Sequence, residues 1–298
     1  MFRKMLLALP LLGAPSFTLA DVPSVATDIL PVHSLVSQVM DGVGEPSLIL
    51  PPGASPHGHS LRPSEARAIR EADVVFWIGA SLTPWLEEPL ETLGAEAQHV
   101  NLMQEDVGLT VIAMEDGHED HSDHDHGDAD YDPHGWLDPE NAMMWLTQIA
   151  EVLSELDPEN AEDYAINARI GISTIEGAVS RANAAADLDG KSYVAYHDAF
   201  AYFDRYFGLT QVAAVTPTDA REPSPSKIIR IRGDIEASGA TCFVADAPFD
   251  EDFVSILFGP QPVKTAIISP LGAEYEPGPS LYPQMITNMA AAFGECLS

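Results

Sequence analysis

Seven short runs of apolar residues recur along the chain, and their apolar positions are continuous instead of alternating with polar ones. They are Ser47–Leu50, Asp73–Ile78, Gln98–Leu102, Ser192–Tyr196, Thr210–Ala214, Thr241–Ala245 and Thr265–Ile268. Continuous runs are typical of parallel strands that helices cover on both faces. Helical patterns accompany them, at Pro63–Glu71, Pro84–Leu93, Pro139–Leu156, Ala199–Phe207, Ser226–Ser238 and Tyr282–Glu295. This succession predicts an α/β fold with mostly parallel sheets.

The residues that follow Leu156 do not fit this alternation. Asp157 is a natural N-cap and Pro158 suits the first helical position, and apolar residues then recur at helical spacing. A helix over 157–188 would be about 45 Å long, which is too long for one more crossover in a small sheet. We therefore predict a rod that joins two α/β lobes, the alternative being two helices separated near Gly171.

The predicted rod divides the chain into an N-terminal lobe, residues 21–156, and a C-terminal lobe, residues 189–298. Within the first lobe, residues 115–132 read EDGHEDHSDHDHGDADYD and have no aliphatic side chain larger than alanine. Such a segment cannot pack into a core, so we expect a loop. It contains His118, His121, His124 and His126. These histidines either capture or sense a metal, or they bind metal incidentally as part of a solvated acidic tract.

Residues 1–20 have the three parts of a secretory signal peptide: a basic start at Arg3 and Lys4, an apolar run, and small residues before Asp21. Cleavage is expected after Ala20. The alternative is a membrane anchor, but the apolar run is shorter than the roughly 20 residues that cross a bilayer. We therefore expect a secreted protein that does not itself span a membrane.

Two cysteines occur, Cys242 and Cys296. In an oxidising compartment they most simply form one disulfide between a late strand and the last helix, and the alternative is two separate buried thiols.

The charge balance limits the partners of the chain. Among 298 residues, 46 are acidic and 14 basic, which gives a formal net charge of −32. A field of this sign repels nucleic acid and anionic lipid and attracts cations. Nucleic-acid binding is therefore excluded as a function.

Four of the histidines outside the acidic loop lie near the predicted carboxyl ends of strands or in the connections that follow them. His57 and His59 follow the first predicted strand, His134 precedes the helix at Pro139, and His197 closes YVAYH. Ligands of open α/β sheets bind beyond the carboxyl ends of the strands, so distant imidazoles can converge there. Neutral imidazole is a good zinc ligand. His33 and His99 are expected to have structural roles instead.

Four ordered motifs, GASPHGHSLRPS, DPHGWLDP, YHDAFAYFDRYFGL and LGAEYEPGPSLYPQM, resemble those of the periplasmic zinc-binding proteins of high-affinity ABC zinc uptake systems. This family belongs to the metal-binding cluster of solute-binding proteins. The similarity extends through the mature chain and includes the acidic loop and the cysteine pair. It implies two (β/α)4-type lobes with mostly parallel sheets, joined by one long rigid helix, with the metal in the cleft between them.

The resemblance also implies a ligand set. His57, His134 and His197 occupy the zinc-ligand positions of the matching motifs, and His59 is a secondary candidate. The fourth ligand is left open among water, His59, a histidine of the acidic loop and Asp246.

Two departures from relatives affect the choice of metal. Some zinc-type members have Glu directly before the first ligand, where this chain has Pro56. Manganese-type members have Asp in the last cleft loop, where this chain has Gly278-Pro279-Ser280. An all-imidazole set suits zinc better than a harder ion. Manganese or iron carriage on the same scaffold remains the alternative.

The function that the resemblance implies is non-enzymatic: the protein captures Zn²⁺ in the periplasm and delivers it to an ABC permease in the inner membrane. A monomer is expected.

A competing hypothesis from a different class is a secreted zinc hydrolase. Its basis is a loose match to the order of metal ligands in amidohydrolases: His57, His59, His134, His197 and Asp246. An open zinc position would lower the pKa of bound water to about 7. Against it, such a barrel needs a bridging lysine, and Lys191 lies before a predicted strand instead of at its end.

Other conspicuous residues receive structural interpretations. Trp136 and Trp145 are predicted to lie in the core, and Asp138 to begin a helix. Asp198, beside His197, either orients an imidazole or caps the following helix.

Overall fold

The computed structural model describes residues 22–104, 108–113, 131–218, 223–246 and 251–298. The predicted signal peptide and the histidines of the acidic loop, His118, His121, His124 and His126, lie outside these ranges. The described strands are β1 (Val25–Thr27), β2 (Ser47–Leu48), β3 (Val74–Trp77), β4 (Gln98–Asn101), β5 (Ser192–His197), β6 (Thr210–Thr216), β7 (Cys242–Ala245) and β8 (Lys264–Ile267). The described helices are α1 (Leu30–Val39), α2 (Pro63–Glu71), α3 (Pro84–Leu93), α4 (Pro139–Leu156), α5 (Ala161–Ala185), α6 (Ala201–Phe207), α7 (Pro225–Ser238), α8 (Glu251–Phe258) and α9 (Leu281–Cys296).

The strands form two four-stranded sheets in which every pair of neighbours is parallel. The order is β2-β1-β3-β4 in the N-terminal half and β6-β5-β7-β8 in the C-terminal half. Val25 lies opposite Val74 in the first sheet, and Val194 opposite Phe243 in the second. The predicted α/β class with parallel sheets is confirmed. Since parallel strands end at one edge, each sheet offers a row of carboxyl-terminal loops for a site.

The long helix is present and unbroken. α5 runs through Gly171 from Ala161 to Ala185, about 37 Å at 1.5 Å per residue, so the alternative of two helices is wrong. It begins later than predicted, because Asp157 is the C-cap of α4 and not an N-cap. The Asp157 carboxylate accepts hydrogen bonds from Asn160 Nδ2 (2.6 Å) and Tyr164 Oη (2.9 Å). These bonds hold the turn between α4 and α5.

Three elements were not predicted: β1, α1 and α8. β1 has only three residues. α1 is buried around most of its circumference, so its sequence lacks the polar face that makes a surface helix recognisable. The number of strands is therefore eight among the described residues, one more than the sequence suggested.

The core is continuous between the two halves. One cluster of buried apolar side chains includes Phe76 and Trp145 from the N-terminal half and Tyr193 and Phe293 from the C-terminal half. The predicted disulfide between Cys242 and Cys296 is present and ties β7 to the end of α9, so the alternative of two free thiols is wrong. None of the described helices is long and apolar enough to cross a bilayer.

Candidate metal centre

Three imidazole rings from distant parts of the chain lie against one another. His57 is in the loop between β2 and α2, His134 directly precedes a 3₁₀ turn at Gly135–Leu137, and His197 is the last residue of β5. The ring centroids are 5.6 Å apart for His57 and His134, 5.4 Å for His57 and His197, and 5.1 Å for His134 and His197. Each ring offers one nitrogen, and the three nitrogens lie within 4.8 Å of one another.

The inward-facing nitrogens of the cluster are buried. The Nε2 atoms of His57, His134 and His197 have no hydrogen-bond partner among the described residues. A buried polar atom without a partner costs free energy of folding. A bond from its lone pair to a bound ion would offset this cost and explain why the nitrogen is buried. Three such nitrogens in one cluster therefore indicate a binding site for an electron-pair acceptor such as a metal cation.

Two of the rings are oriented by carboxylates. His134 Nδ1 lies 2.7 Å from Asp132 Oδ1, and His197 Nδ1 lies 2.9 Å from Asp246 Oδ2. Each carboxylate accepts a hydrogen bond from Nδ1–H, so Nε2 is the unprotonated nitrogen, whose lone pair is free to bind a metal. Asp132 Oδ1 also accepts the backbone N–H of His134 at 2.9 Å, so this carboxylate is itself held in place.

The third ring is kept neutral by its surroundings. Burial, together with the neighbouring His134 and His197, lowers the pKa of His57 to about 3, although Asp246 opposes the shift. A neutral imidazole is the form that can donate a lone pair to a metal. At neutral pH the His57 ring is therefore ready to bind without first losing a proton.

The spacing of the rings fits a tetrahedral zinc ion. With Zn–N bonds of about 2.0–2.1 Å, ring centroids lie about 3.2 Å from the metal, and two tetrahedral ligands then have centroids about 5.2 Å apart. The observed separations of 5.1–5.6 Å are close to this value. Three imidazoles leave one tetrahedral position for a further ligand.

A cavity of about 320 Å³ adjoins the cluster and is lined from both halves of the molecule. Its walls are Gly53–Pro56, His134, Trp136, His197, Asp246, Ser269–Leu271 and Ala273. Trp136 is fully buried, as predicted, and its indole Nε1 donates to the Pro270 carbonyl at 2.7 Å. This bond joins the two walls of the cleft.

The secondary candidates have other partners. His59 Nε2 lies 2.8 Å from Glu65 Oε2, and the His59 ring packs on Trp85, away from the cluster. Asp246 lines the cavity, but its Oδ2 accepts from His197. The structure thus brings His57, His134 and His197 together and does not bring His59 to them.

Both interpretations of Asp198 are wrong. Its carboxylate accepts from Gln211 Nε2 at 2.7 Å, and the N-cap of α6 is Phe200. Asp132 was missed, although its place two residues before His134 is a usable signal for a carboxylate that can reach both the backbone N–H and the ring. Asp138 does cap α4, accepting from the Glu140 N–H at 2.8 Å.

His33 and His99 have structural partners, as expected. His33 Nε2 lies 3.2 Å from the Pro46 carbonyl, and His99 Nε2 lies 2.9 Å from the Gly94 carbonyl.

Comparison with solved structures shows which proteins share this fold. A crystal structure of ZnuA superposes with a TM-score of 0.77 at 20% identity, covering 93% of this chain and 100% of the other. The solute-binding protein FpvC from Pseudomonas aeruginosa in complex with Mn²⁺ superposes with a TM-score of 0.76 at 20% identity, covering 92% and 98%. The fold thus also occurs in a protein solved in complex with Mn²⁺.

Sequence comparison shows the family. The high-affinity zinc uptake system protein ZnuA of Brucella suis is 35% identical in an alignment of 308 positions that covers 92% of this chain and 91% of the relative. The protein of the same name from Paracoccus denitrificans is 35% identical in an alignment of 310 positions that covers 93% of both chains. The family model described as zinc-uptake complex component A, periplasmic, matches residues 25–296. On this evidence, the chain belongs to the family of periplasmic components A of zinc-uptake complexes.

Proposed function

We propose that the protein captures Zn²⁺ in its cleft and passes it to an ABC permease. The observation that carries this proposal is that His57, His134 and His197 each bring one ring nitrogen within 4.8 Å of the others, and that the Nε2 atoms of all three are buried without a partner among the described residues. The carboxylates of Asp132 and Asp246 complete the arrangement by fixing two of the rings. The ion is the cargo of this protein, not a resident cofactor.

The donor set supports zinc over manganese. Neutral imidazole suits zinc, whereas manganese favours carboxylate and water oxygens. The inner surface of the cluster consists of imidazole nitrogens, and the nearest carboxylates, Asp132 and Asp246, are occupied by the Nδ1 atoms of their histidines. Since the same fold occurs in a Mn²⁺ complex, the proposal rests on these donors and not on the fold.

Water is the proposed fourth ligand. The cavity beside the cluster has room for it, and the two candidates among the described residues have other partners: His59 bonds to Glu65, and Asp246 Oδ2 bonds to His197. The histidines of the acidic loop lie outside the described residues and are the alternative that zinc titration of the loop deletion tests. A water ligand can be exchanged easily, which suits a carrier that must release its ion.

Delivery requires a membrane partner. The curated relatives are components of zinc uptake systems, and we propose that this chain works as a monomer in the periplasm, after loss of residues 1–20, and docks on the permease of such a system. Release would follow from movement of the two walls of the cleft, because each wall supplies part of the site.

Hydrolase activity is not part of the proposal. An amidohydrolase barrel would need eight strands in one closed sheet, whereas the described strands form two separate four-stranded sheets. Ester and amide substrates offered to the zinc-loaded protein should show no turnover. Turnover that disappears in His197→Ala would instead favour the enzyme.

Zinc titration of the purified metal-free protein tests the proposal. We expect one tight site per chain, weakened at least tenfold in His57→Ala, His134→Ala and His197→Ala. His99→Ala is the matched control, since its imidazole bonds to a backbone carbonyl outside the cluster, and it should bind zinc like the parent. Equal losses in all four variants, or no loss in any, would overturn the proposal. Competition with Mn²⁺ and Fe²⁺ in the same titration decides the metal.

The acidic segment 115–132 is proposed as a separate, weaker set of zinc sites. Deleting Gly117–Asp130 should leave the tight site and lower the total zinc bound per chain. Loss of the tight site on deletion, seen by calorimetry, would refute this.

A further inference from the structure

His57 differs from His134 and His197 in the backbone structure that holds it. His197 ends a strand and His134 is next to a 3₁₀ turn, whereas His57 lies between Pro56 and Gly58 in a connection without regular structure. A ligand in such a loop can bind tightly only if other contacts hold the backbone, because each freely rotating residue costs entropy when it is ordered.

Trp85 supplies one such contact from α3. Its indole Nε1 donates to the Pro56 carbonyl at 2.8 Å, directly before His57 in the chain. Pro56 is buried, so its carbonyl has little access to water as an alternative partner. The hydrogen bond therefore ties the backbone next to His57 to α3.

His59 and Glu65 supply a second contact on the other side of His57. The His59 and Glu65 side chains are only 9% and 7% exposed, and His59 Nε2 lies 2.8 Å from Glu65 Oε2. The same Glu65 oxygen accepts the backbone N–H of Arg62 at 2.7 Å, which anchors it at the start of α2. The His59 ring meets Trp85 edge to face with centroids 4.9 Å apart. Trp85, His59 and Glu65 thus form one support cluster around residues 56–59.

We propose that this support cluster positions His57 for zinc. Trp85, His59 and Glu65 are positioning residues that act through the backbone on both sides of the ligand, and none of them touches the ion. The inference rests on the proposed function and deepens it: His59, a candidate ligand by sequence, serves the site from outside the coordination sphere.

The expected effect follows from the behaviour of residues that orient metal ligands. Removing a direct hydrogen-bond partner of a ligand costs about 10–100-fold in metal affinity. The support cluster contacts the backbone beside His57 and not its ring. We therefore expect a loss of zinc affinity at the lower end of this range, about tenfold.

Trp85→Phe is the first test, because it keeps an aromatic ring against His59 and removes the donor to Pro56. Zinc affinity should fall about tenfold, and the visible d–d spectrum of the Co²⁺-loaded protein should change as one imidazole leaves its place. Trp145→Phe is the matched control: Trp145 is buried in α4, and its Nε1 has no partner among the described residues. It should leave both readouts unchanged.

A second pair of variants tests the other half of the cluster. His59→Phe removes the bond to Glu65 and should weaken zinc binding, whereas His59→Gln keeps a donor and should restore part of the affinity. Unchanged affinity and Co²⁺ spectrum in both Trp85→Phe and His59→Phe would overturn the proposal. So would a loss that merely follows a lowered melting temperature with an unaltered Co²⁺ spectrum.

The metal-free protein separates this proposal from the proposed function. The ring protons of His57 in the NMR spectrum should shift and broaden in Trp85→Phe, whatever metal the parent binds. If the parent fails to bind zinc tightly, the function fails, and unchanged His57 signals in the variant would independently contradict the support cluster.

Discussion

At the scale of single residues, the sequence predicted the three histidines of the site but not the carboxylate that orients His197. The positions of His57, His134 and His197 at or after predicted strand ends indicated that their imidazoles can converge, and the motif resemblance selected these three as the ligand set. The carboxylate beside His197 was not predicted, because Asp198 is adjacent in sequence whereas Asp246 is adjacent in space. Successive residues leaving a strand point to opposite faces, so the sequence neighbour of a ligand is poorly placed to orient it.

The two carboxylates near His197 provide a matched pair of variants. Asp246→Ala removes the acceptor for Nδ1 and should weaken zinc binding about 10–100-fold. Asp198→Ala removes a carboxylate that bonds to Gln211 instead, and it should leave zinc affinity within about threefold of the parent. Competition with a coloured zinc chelator measures both. Equal effects of the two substitutions would mean that general negative charge, and not orientation of the ring, supports binding.

Among helices and strands, those with a clear hydrophobic pattern could be predicted from the sequence, whereas close packing between them could not. Helices α2, α3 and α4 begin at the predicted prolines, since proline suits the first turn. α1 was missed because its buried surface gives no amphipathic pattern. Gly171 was considered a break in the long helix, yet it is the point where α5 approaches its neighbours: a Cβ there would lie 2.9 Å from Leu146 Cδ1 and 3.0 Å from Gln38 Oε1.

Two glycines of α5 should therefore respond in opposite directions to the same change. Gly171→Ala inserts a methyl group into a filled contact, and the overpacking cost of about 1–3 kcal/mol should outweigh the helix-propensity gain of about 1 kcal/mol, so the free energy of unfolding should fall. Gly177→Ala places its methyl no closer than 3.4 Å to the Arg181 side chain and should raise the free energy of unfolding by about 0.5–1 kcal/mol through helix propensity. Urea unfolding of the metal-free proteins measures both. A stabilising Gly171→Ala would show that the helices are not tightly packed there.

At the scale of the whole molecule, the sequence indicated two α/β lobes joined by a rod, but not which residues of the two lobes contact each other. The contacts between halves pair residues that are far apart in the chain. Tyr282 Oη donates to the Trp136 carbonyl at 2.7 Å, and the Tyr282 N–H donates to Ser34 Oγ at 3.0 Å. Such pairings depend on the tertiary arrangement, so no local pattern predicts them. They explain why one continuous core supports both walls of the cleft.

Buried carboxyl groups in both halves should make global stability depend on pH. Burial raises the pKa of Asp28 and of Asp204 from 3.8 to about 7, although hydrogen bonds to each oppose the shift. Between about pH 4 and 7 the folded state thus holds protons that the unfolded state has lost, and the free energy of unfolding falls as pH rises.

Asp204→Asn isolates one of these contributions. The amide oxygen can still accept from Tyr193 Oη, which lies 3.0 Å from the native carboxylate oxygens, but the side chain no longer titrates. The loss of stability between pH 5 and pH 7 should be smaller than in the parent by about 2 kcal/mol. Urea unfolding with a chelator present measures it, and the exposed Asp41→Asn serves as control. An unchanged pH dependence would mean that Asp204 is ionised in the folded protein.

X-ray absorption at the zinc edge tests the ligand set most directly. The protein should be loaded with half an equivalent of Zn²⁺, so that the tightest site fills first. We predict a first shell of three imidazole nitrogens at about 2.0–2.1 Å with one additional light atom, and loss of one imidazole in His57→Ala, His134→Ala or His197→Ala. A shell with one imidazole or none, or a parent spectrum that these substitutions leave unaltered, would contradict a zinc site built from these three residues.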